Sequence, residues 1–369
     1  MRGLALVIGF LAAIAAPAVA QDAPAPTRTV APVEVAAGFD VPWSLAFLPG
    51  GGMLVTERGG RLWHLPAGRA PRRQVAGVPQ VAAIGQGGLL DVVVPRDFAR
   101  SREVLLAFAA PQQGGGAGTA LAAGRLSRDG ARIEDLRLLF EAAPGARGGR
   151  HFGGRVVEGP DGHLFLTIGD RGDRPSAQDL STHNGSVIRV NRDGSVPADN
   201  PFVGRDGARP EIWSYGHRNP QGAALDGQGR LWVHEHGARG GDEVNLIRKG
   251  ANYGWPVIAY GRHYSGARIG EGTHKPGMEQ PAFYWDPSIA PSGLVIHSGR
   301  GAPGWKGDFF VGSLKFDMIA HLRGGTTTMQ EVARLQSPET LRVRALREGP
   351  DGALWIVSEG RGAIYRLAP

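Results

Sequence analysis

Cysteine is absent from all 369 residues. A disulfide framework and any thiolate-ligated metal site are therefore excluded. Beyond residue 20 no stretch approaches the roughly eighteen consecutive apolar residues that a membrane-spanning helix needs. Helical heptads are missing, and no low-complexity linker divides the chain into two domains. The formal net charge of +7 comes without a dense basic run carrying interleaved aromatics. The arginines are scattered among Asp and Glu, which argues against a nucleic-acid partner. A positive balance of this kind suits an anionic cofactor or substrate instead. No histidine pair has the spacing and supporting carboxylate of a zinc site.

What is present begins with an export signal. Arg2 supplies a positive charge, Leu4 to Ala16 is almost unbroken apolar sequence, and Ala18-Val19-Ala20 offers the small residues of a cleavage site. This reads as a secretory signal over 1–20, and hence a periplasmic or secreted protein with no membrane insertion. Residues 21–32 are rich in Pro and Ala and are expected to form a mobile leader. A single domain over 33–369 follows; a chain of this size can bury a sufficient core without disulfide bridges.

Glycine and proline are abundant, 58 and 27 residues, and mark the turns of an internal repeat. Pro49-Gly50-Gly51-Gly52-Met53-Leu54-Val55, Gly159-Pro160-Asp161-Gly162-His163-Leu164-Phe165-Leu166, Leu225-Asp226-Gly227-Gln228-Gly229-Arg230-Leu231-Trp232-Val233 and Gly349-Pro350-Asp351-Gly352-Ala353-Leu354-Trp355 share one grammar. A turn that demands positive φ leads into a short apolar strand. Weaker copies at 93–110 and 303–315 bring the count to six. Their intervals leave room for a four-stranded blade plus loops, which predicts an all-β, six-bladed β-propeller with four-stranded antiparallel blades. Polar residues leaving the inner strands should then converge on a central funnel.

Several polar clusters fit that position. Arg342 and Arg344 alternate with apolar neighbours and should share a strand face. With no protein partner foreseen for them, they call for an anion between them. With Arg218 and Lys315 they suggest a pocket for a polyanion bearing several carboxylates; the alternative is that each pairs with a nearby acid. His151, beside two glycines, is a candidate general base. Taken singly, a histidine at a strand end is as well explained by structural hydrogen bonding, and His217, His234, His236 and His263 are read that way. The carbonyls of Gly237 and Ala238, with the carboxylate of Glu243, are oxygen ligands suited to a hard cation such as Ca²⁺.

The ordered set Gly85-Gln86-Gly87-Gly88, His151-Phe152-Gly153-Gly154-Arg155, Tyr215-Gly216-His217-Arg218-Asn219-Pro220-Gln221-Gly222, Gly241-Asp242-Glu243-Val244-Asn245 and Asn252-Tyr253-Gly254-Trp255-Pro256 resembles the soluble pyrroloquinoline quinone (PQQ)-dependent sugar dehydrogenases. It is most similar to their compact aldose sugar dehydrogenase branch. The resemblance runs from about Val35 to Leu367. It implies oxidation of an aldose at the anomeric carbon to the lactone, with His151 as general base. It also implies Gln86, Arg218, Asn219, Tyr264, Lys315, Arg342 and Arg344 as PQQ contacts, and Gly237 and Ala238 as carbonyl ligands of a calcium beside PQQ. Glu243 and Tyr253, the latter through its carbonyl, match a second calcium site, and Trp285 is matched loosely to a position facing the cofactor plane. The glucose-specialised relatives carry an acidic residue before the catalytic histidine, where this chain has Arg150. Orientation of His151 must therefore come from elsewhere, with Asp170 and Asp173 as candidates. Short loops around the funnel imply broad aldose use rather than strict glucose use.

Two other functions compete. A calcium-dependent lactonase propeller would place several acidic side chains in the funnel, where this sequence places cations. A non-catalytic binding propeller gives no reason for Gln86, His151, Arg218, Lys315, Arg342 and Arg344 to coexist. A monomer or homodimer acting on a small-molecule aldose is expected; the electron acceptor is left unassigned.

Overall fold

The computed structural model describes residues 24–68, 70–113 and 115–369. The expected signal at 1–20 lies outside them. Six sheets are formed in chain order, each an antiparallel meander of consecutive strands. Blade 1 comprises Pro42–Phe47, Met53–Glu57, Arg61–Leu65 and Arg73–Val75. Blade 2 comprises Leu89–Val93, Glu103–Pro111, Ala117–Leu126 and Ile133–Glu141. Blade 3 takes Val156–Glu158, Leu164–Ile168, Ser186–Val190 and Ile212–Tyr215, and blade 4 takes Pro220–Leu225, Leu231–Glu235, Asp242–Leu246 and Phe283–Trp285. Blade 5 takes Pro291–Ile296, Phe309–Ser313, Met318–Gly324 and Met329–Gln336. Blade 6 is closed by both ends of the chain: Val343–Glu348, Leu354–Ser358 and Ala363–Leu367 are completed by Val33–Ala37, antiparallel to the last of these. The first strand of every blade touches the first strand of the next, and blade 6 returns to blade 1, so the ring is closed.

All six repeat copies fall on the hairpin joining the first and second strands of a blade. The reason is local. Asp161, Asp226 and Asp351 each turn a carboxylate oxygen onto the amide two residues on, at 3.2, 2.9 and 3.2 Å, and the turns carry Gly162, Gly229 and Gly352 at φ 87°, 76° and 82°, where a side chain would be strained. The second strands that follow are apolar on both faces because each blade is packed between two others. Leu54, Leu164, Leu166, Leu354 and Ile356 are fully buried.

The leader expectation needs correction. Thr27–Thr29 pairs in parallel with Arg334–Gln336 as a fifth strand on blade 5, and Ala25 is buried. The last part of 21–32 is thus fixed to the ring by backbone hydrogen bonds. Helix is confined, among the described residues, to Phe98–Ser101 and three short 3₁₀ turns, and none is long and apolar enough to cross a membrane.

Candidate active site

A cavity of about 660 Å³ opens where the first strands converge. Every blade contributes to it, and blades 2 to 6 do so from the lead-in to the innermost strand. Gln86 precedes blade 2, His151 blade 3, Arg218 blade 4, Ser288 and Ala290 blade 5, and Arg342 blade 6, while Trp43 and Arg58 come from blade 1. This is the funnel geometry that a propeller imposes on residues distant in sequence.

His151 is held at its backbone and at its ring. Its backbone N–H donates to Gln86 Oε1 at 2.7 Å, and its Nδ1 lies 2.6 Å from Asp170 Oδ1. Asp170 also accepts from Gly172 N at 2.7 Å and from Trp255 Nε1 at 2.8 Å. A carboxylate with those donors can only accept from Nδ1, so the proton is assigned there and the Nε2 lone pair is left for the cavity that His151 lines. Burial opposes ionisation of Asp170, but its hydrogen bonds to His151, Gly172 and Trp255 outweigh this and hold it below the usual carboxylate range. Burial, reinforced by the charges of Arg218 and Arg150, depresses His151 below the ordinary imidazole value despite Asp170. The ring is therefore neutral at neutral pH, as a base must be. Asp170, not Asp173, orients it; the Asp173 carbonyl instead accepts from Ser176 Oγ in the following turn at 2.6 Å.

The cavity wall holds six basic side chains, Arg58, Arg218, Arg239, Lys315, Arg342 and Arg344, against one carboxylate, Glu359. That carboxylate corrects the expectation that the Arg342 and Arg344 pair lacks a protein partner. Arg342 donates to Glu359 Oε1 from Nε and Nη2 at 3.1 and 3.0 Å, and Arg344 Nε donates to Oε2 at 2.7 Å. The two arginines do share a face, and a protein anion sits between them. Arg344 continues inward to Gln221 Oε1 at 2.8 Å. Lys315 Nζ donates to the Ser288 carbonyl at 3.1 Å, and Tyr264 stands at the rim, 70% exposed.

A second, smaller pocket adjoins this one. Gly237 and Ala238 line both, and Glu235, Glu243 and Tyr253 line the smaller. The Tyr253 hydroxyl is turned away, donating to Leu246 O at 2.6 Å and accepting from Arg248 N at 2.9 Å. Asp242 fixes the walls, accepting from Gly237 N at 2.8 Å, Ile289 N at 2.7 Å and Ala290 N at 3.0 Å.

The sequence profile of the Glucose / Sorbosone dehydrogenase family matches residues 39–366. The chain belongs to this family. It is 44% identical over 336 residues to the aldose sugar dehydrogenase of Escherichia coli (strain K12), covering 90% of this chain and 91% of that protein. The crystal structure of the soluble aldose sugar dehydrogenase of Escherichia coli in the apo-form matches with a TM-score of 0.87 at 42% identity, over 92% of this chain and 98% of that one. The PQQ-bound form of the aldose sugar dehydrogenase of Streptomyces coelicolor matches with a TM-score of 0.74 at 28% identity, over 91% and 96%.

Among the residues matched to the PQQ dehydrogenases of this family, the cavity gathers Gln86, His151, Arg218, Gly237, Ala238, Tyr264, Lys315, Arg342 and Arg344. Asn219 is not in the wall: it is fully buried behind it, with Oδ1 accepting from Gly153 N at 3.2 Å and Nδ2 without a partner. Trp285 does not face the cavity either. It packs edge-on against Phe283 at 4.9 Å, in the core between blades 4 and 5. Of the four histidines read as structural, His217 is clasped between Ser214 Oγ and Glu235 Oε1 at 2.9 and 2.8 Å and His263 meets Arg174 at 2.8 Å. His236 meets the Pro291 carbonyl at 2.6 Å but also lines the cavity, and the fully buried His234 has no hydrogen-bond partner on either ring nitrogen. Arg58 and Glu359 were missed because nothing in their immediate sequence sets them apart and only ring closure brings them in, whereas Arg239 was passed over although it directly follows Gly237 and Ala238.

The wall suits a compact polyanion. Its volume is that of a ligand pocket, its charge is overwhelmingly positive, and the buried Arg218 Nε has no acceptor. Fit to a hard cation is carried by the smaller pocket. Burial, with the Glu235 carboxylate close by, pushes Glu243 up to about 8, the signature of crowded acids short of positive charge. Among the described residues no group of three or more His, Cys, Asp or Glu is set to hold a metal, so any cation there depends on carbonyl oxygens as well. One of these, the Gly237 carbonyl, already accepts from Arg218 Nη1, so a cation at that oxygen would use its remaining lone pair or displace the guanidinium.

Proposed function

We propose that this protein oxidises aldose sugars at the anomeric carbon to lactones, with PQQ as the bound oxidant and Ca²⁺ beside it. The observation that carries the reading is the His151–Asp170 pair, whose free Nε2 is aimed into a cavity walled by cations. The relative solved with PQQ supports the identity of the polyanion. Arg218, Lys315, Arg342 and Arg344 would hold the carboxylates of PQQ by charge-assisted hydrogen bonds, with Gln86 and Tyr264 completing the wall. The carbonyls of Gly237 and Ala238 would face one Ca²⁺, and Glu243 with the Tyr253 carbonyl a second. When bound, PQQ would supply the acceptor for the hydride, and with it the two electrons, that leaves the sugar carbon; no side chain here can accept it.

The residues' own work is proton handling and orientation. His151 Nε2 takes the proton of the anomeric hydroxyl as the carbon–hydrogen bond breaks. Asp170 keeps the ring in the tautomer that can do so and stabilises the imidazolium that results. Gln86 fixes the His151 backbone at φ 56°, a conformation a histidine adopts only when its surroundings compel it. Among the described residues Glu359 is the one carboxylate lining the cavity, and it is engaged by arginine, so the wall lacks the several acids that a lactonase would need. Purified protein supplied with PQQ and Ca²⁺ should reduce an artificial dye with several aldoses and form the corresponding lactones. PQQ that fails to bind, or binds without sugar-dependent dye reduction, would overturn the assignment.

A further inference from the structure

Glu359 is the one acid in a wall of six bases, and it sits between the buried Arg344 and the 47% exposed Arg342. It leaves the end of Leu354–Ser358, and its amide donates to the Arg342 carbonyl at 3.0 Å. Its side chain, 12% exposed, takes both guanidiniums, one per oxygen. Arg342 is further fixed from outside this pair. Its N–H donates to Asp317 Oδ1 at 2.8 Å and its Nη1 to the Leu314 carbonyl at 3.1 Å, at a backbone φ of 48°. Arg344 is likewise held by Gln221. The arginines therefore do not depend on Glu359 for their position. They are anchored independently, and the carboxylate lies between them as a resident anion.

We propose that Glu359 is a built-in competitor of the ligand anion: it occupies the Arg342–Arg344 clamp and must share or yield those donors when a carboxylate ligand binds. This rests on the proposed function for the identity of the ligand, but the clamp is a property of the chain itself. An incoming carboxylate meets two guanidiniums whose Nε donors already face a carboxylate, and it meets that negative charge at close range. Glu359 thus lowers affinity, in exchange for a cavity whose cations are partly compensated when no ligand is bound.

The test is binding, not turnover. PQQ and, separately, citrate as a generic tricarboxylate are titrated calorimetrically into the wild type, E359Q and E359D at low ionic strength, with thermal unfolding of each protein recorded alongside. E359Q removes the charge and keeps the shape; it should bind both probes about tenfold or more tightly, the scale of one charge-assisted hydrogen bond. Its unliganded form should unfold at a lower temperature, since two cations are left facing each other. E359D keeps the charge and should stay within about threefold of the wild type. If Glu359 instead orients the arginines for the ligand, E359Q binds both probes more weakly, and the proposal is wrong. Equal affinities in all three proteins also overturn it. Should PQQ fail to bind any of them while citrate shows the expected order, the proposed cofactor is wrong and the competitor role stands. Were E359Q not to fold, E359S and E359A, which remove the carboxylate altogether, take its place, with the same tighter binding of both probes expected and equal or weaker binding overturning the proposal.

Discussion

His151 occupies a left-handed backbone conformation between two stretches of glycine, and the Cβ of any residue placed at Gly169 would come 2.1 Å from its carbonyl. A base in so confined a position is defined by its contacts, which makes its chemistry predictable. Replacing His151 with Gln should leave PQQ affinity near the wild-type value while lowering turnover about 10²–10⁴-fold; equal loss of binding would make it a cofactor anchor. Its depressed pKa fixes the sign of the pH dependence. Protonation disables the base, so activity falls on the acid side, with the midpoint of kcat/KM below the ordinary imidazole value of about 6.5. Asp170 works against that depression. D170N should therefore move the acid limb to still lower pH while reducing kcat, because the tautomer is no longer enforced; a merely structural aspartate would not move the limb. At Arg342 and Arg344 the double change to Gln should weaken PQQ binding by several kcal/mol, each lost charge-assisted bond contributing about 1.5–3. The same change now carries a stability cost of about 1–3 kcal/mol without ligand, since it strands the Glu359 carboxylate. Calorimetry and chemical denaturation on one sample separate the two effects.

At the level of elements, the hairpins were legible and the contacts between them were not. Asp161, Asp226 and Asp351 announce their turns because an Asx turn is decided within three residues, and these three with the glycine turn at 50–52 and the two weaker copies are enough to count blades. The pairing of His151 with Asp170 is also semi-local, one loop against the end of the neighbouring strand, and the sequence narrowed the orienting acid to two. Glu359 reaches the cavity only through the closing of blade 6, and Arg58 only through its neighbour blade 1. Trp285 went wrong for the same reason: an aromatic triplet on an outer strand packs between blades, whatever motif surrounds it. Residues 27–29 look like linker by composition, yet a strand edge recruits backbone irrespective of side chains. Removing residues through 31 should accordingly cost only a few degrees in thermal unfolding, whereas removing residues through 37 strips the closing strand from Ala363–Leu367 and should give aggregation at that edge. The loop bearing Gly237 and Ala238 behaves as an element too. EDTA should lower the unfolding temperature, Ca²⁺ should restore it by binding the folded state alone, and Zn²⁺ should not, given oxygen donors only. An unchanged melting temperature after thorough chelation would remove the metal assignment.

Across the whole molecule one buried acid ties the ring together beneath the cavity. Asp91, on the first strand of blade 2, accepts from Ser44 Oγ of blade 1 at 2.5 Å, from Arg155 Nη1 at the start of blade 3 at 3.1 Å and from Arg347 Nη2 of blade 6 at 2.6 Å. Its other oxygen takes the Val156 N–H at 3.0 Å. Four blades meet at one carboxylate, and burial, which by itself would favour protonation, is outweighed by the two arginines, so it is held below the usual carboxylate range. Arg155 then reaches a fifth blade through the Gln221 carbonyl at 3.1 Å and lies over the Trp43 ring at 4.3 Å, which carries the network up to the cavity wall. Breaking such a cluster from one side is the costly direction. Asp91→Ala leaves two guanidiniums facing each other, one of them fully buried, and should destabilise the fold by about 3–5 kcal/mol in urea unfolding. If the loss comes from the stranded cations rather than from the missing carboxylate, replacing Arg155 and Arg347 with Met in the same chain should recover most of it, because a buried charge cluster is about as stable as a well-packed apolar one. The two outcomes separate cleanly. Recovery by the triple variant makes the cluster a device that fixes how the blades meet, and failure to recover means that the hydrogen bonds of Asp91 to Ser44 and Val156 are what hold the inner strands at that end of the ring.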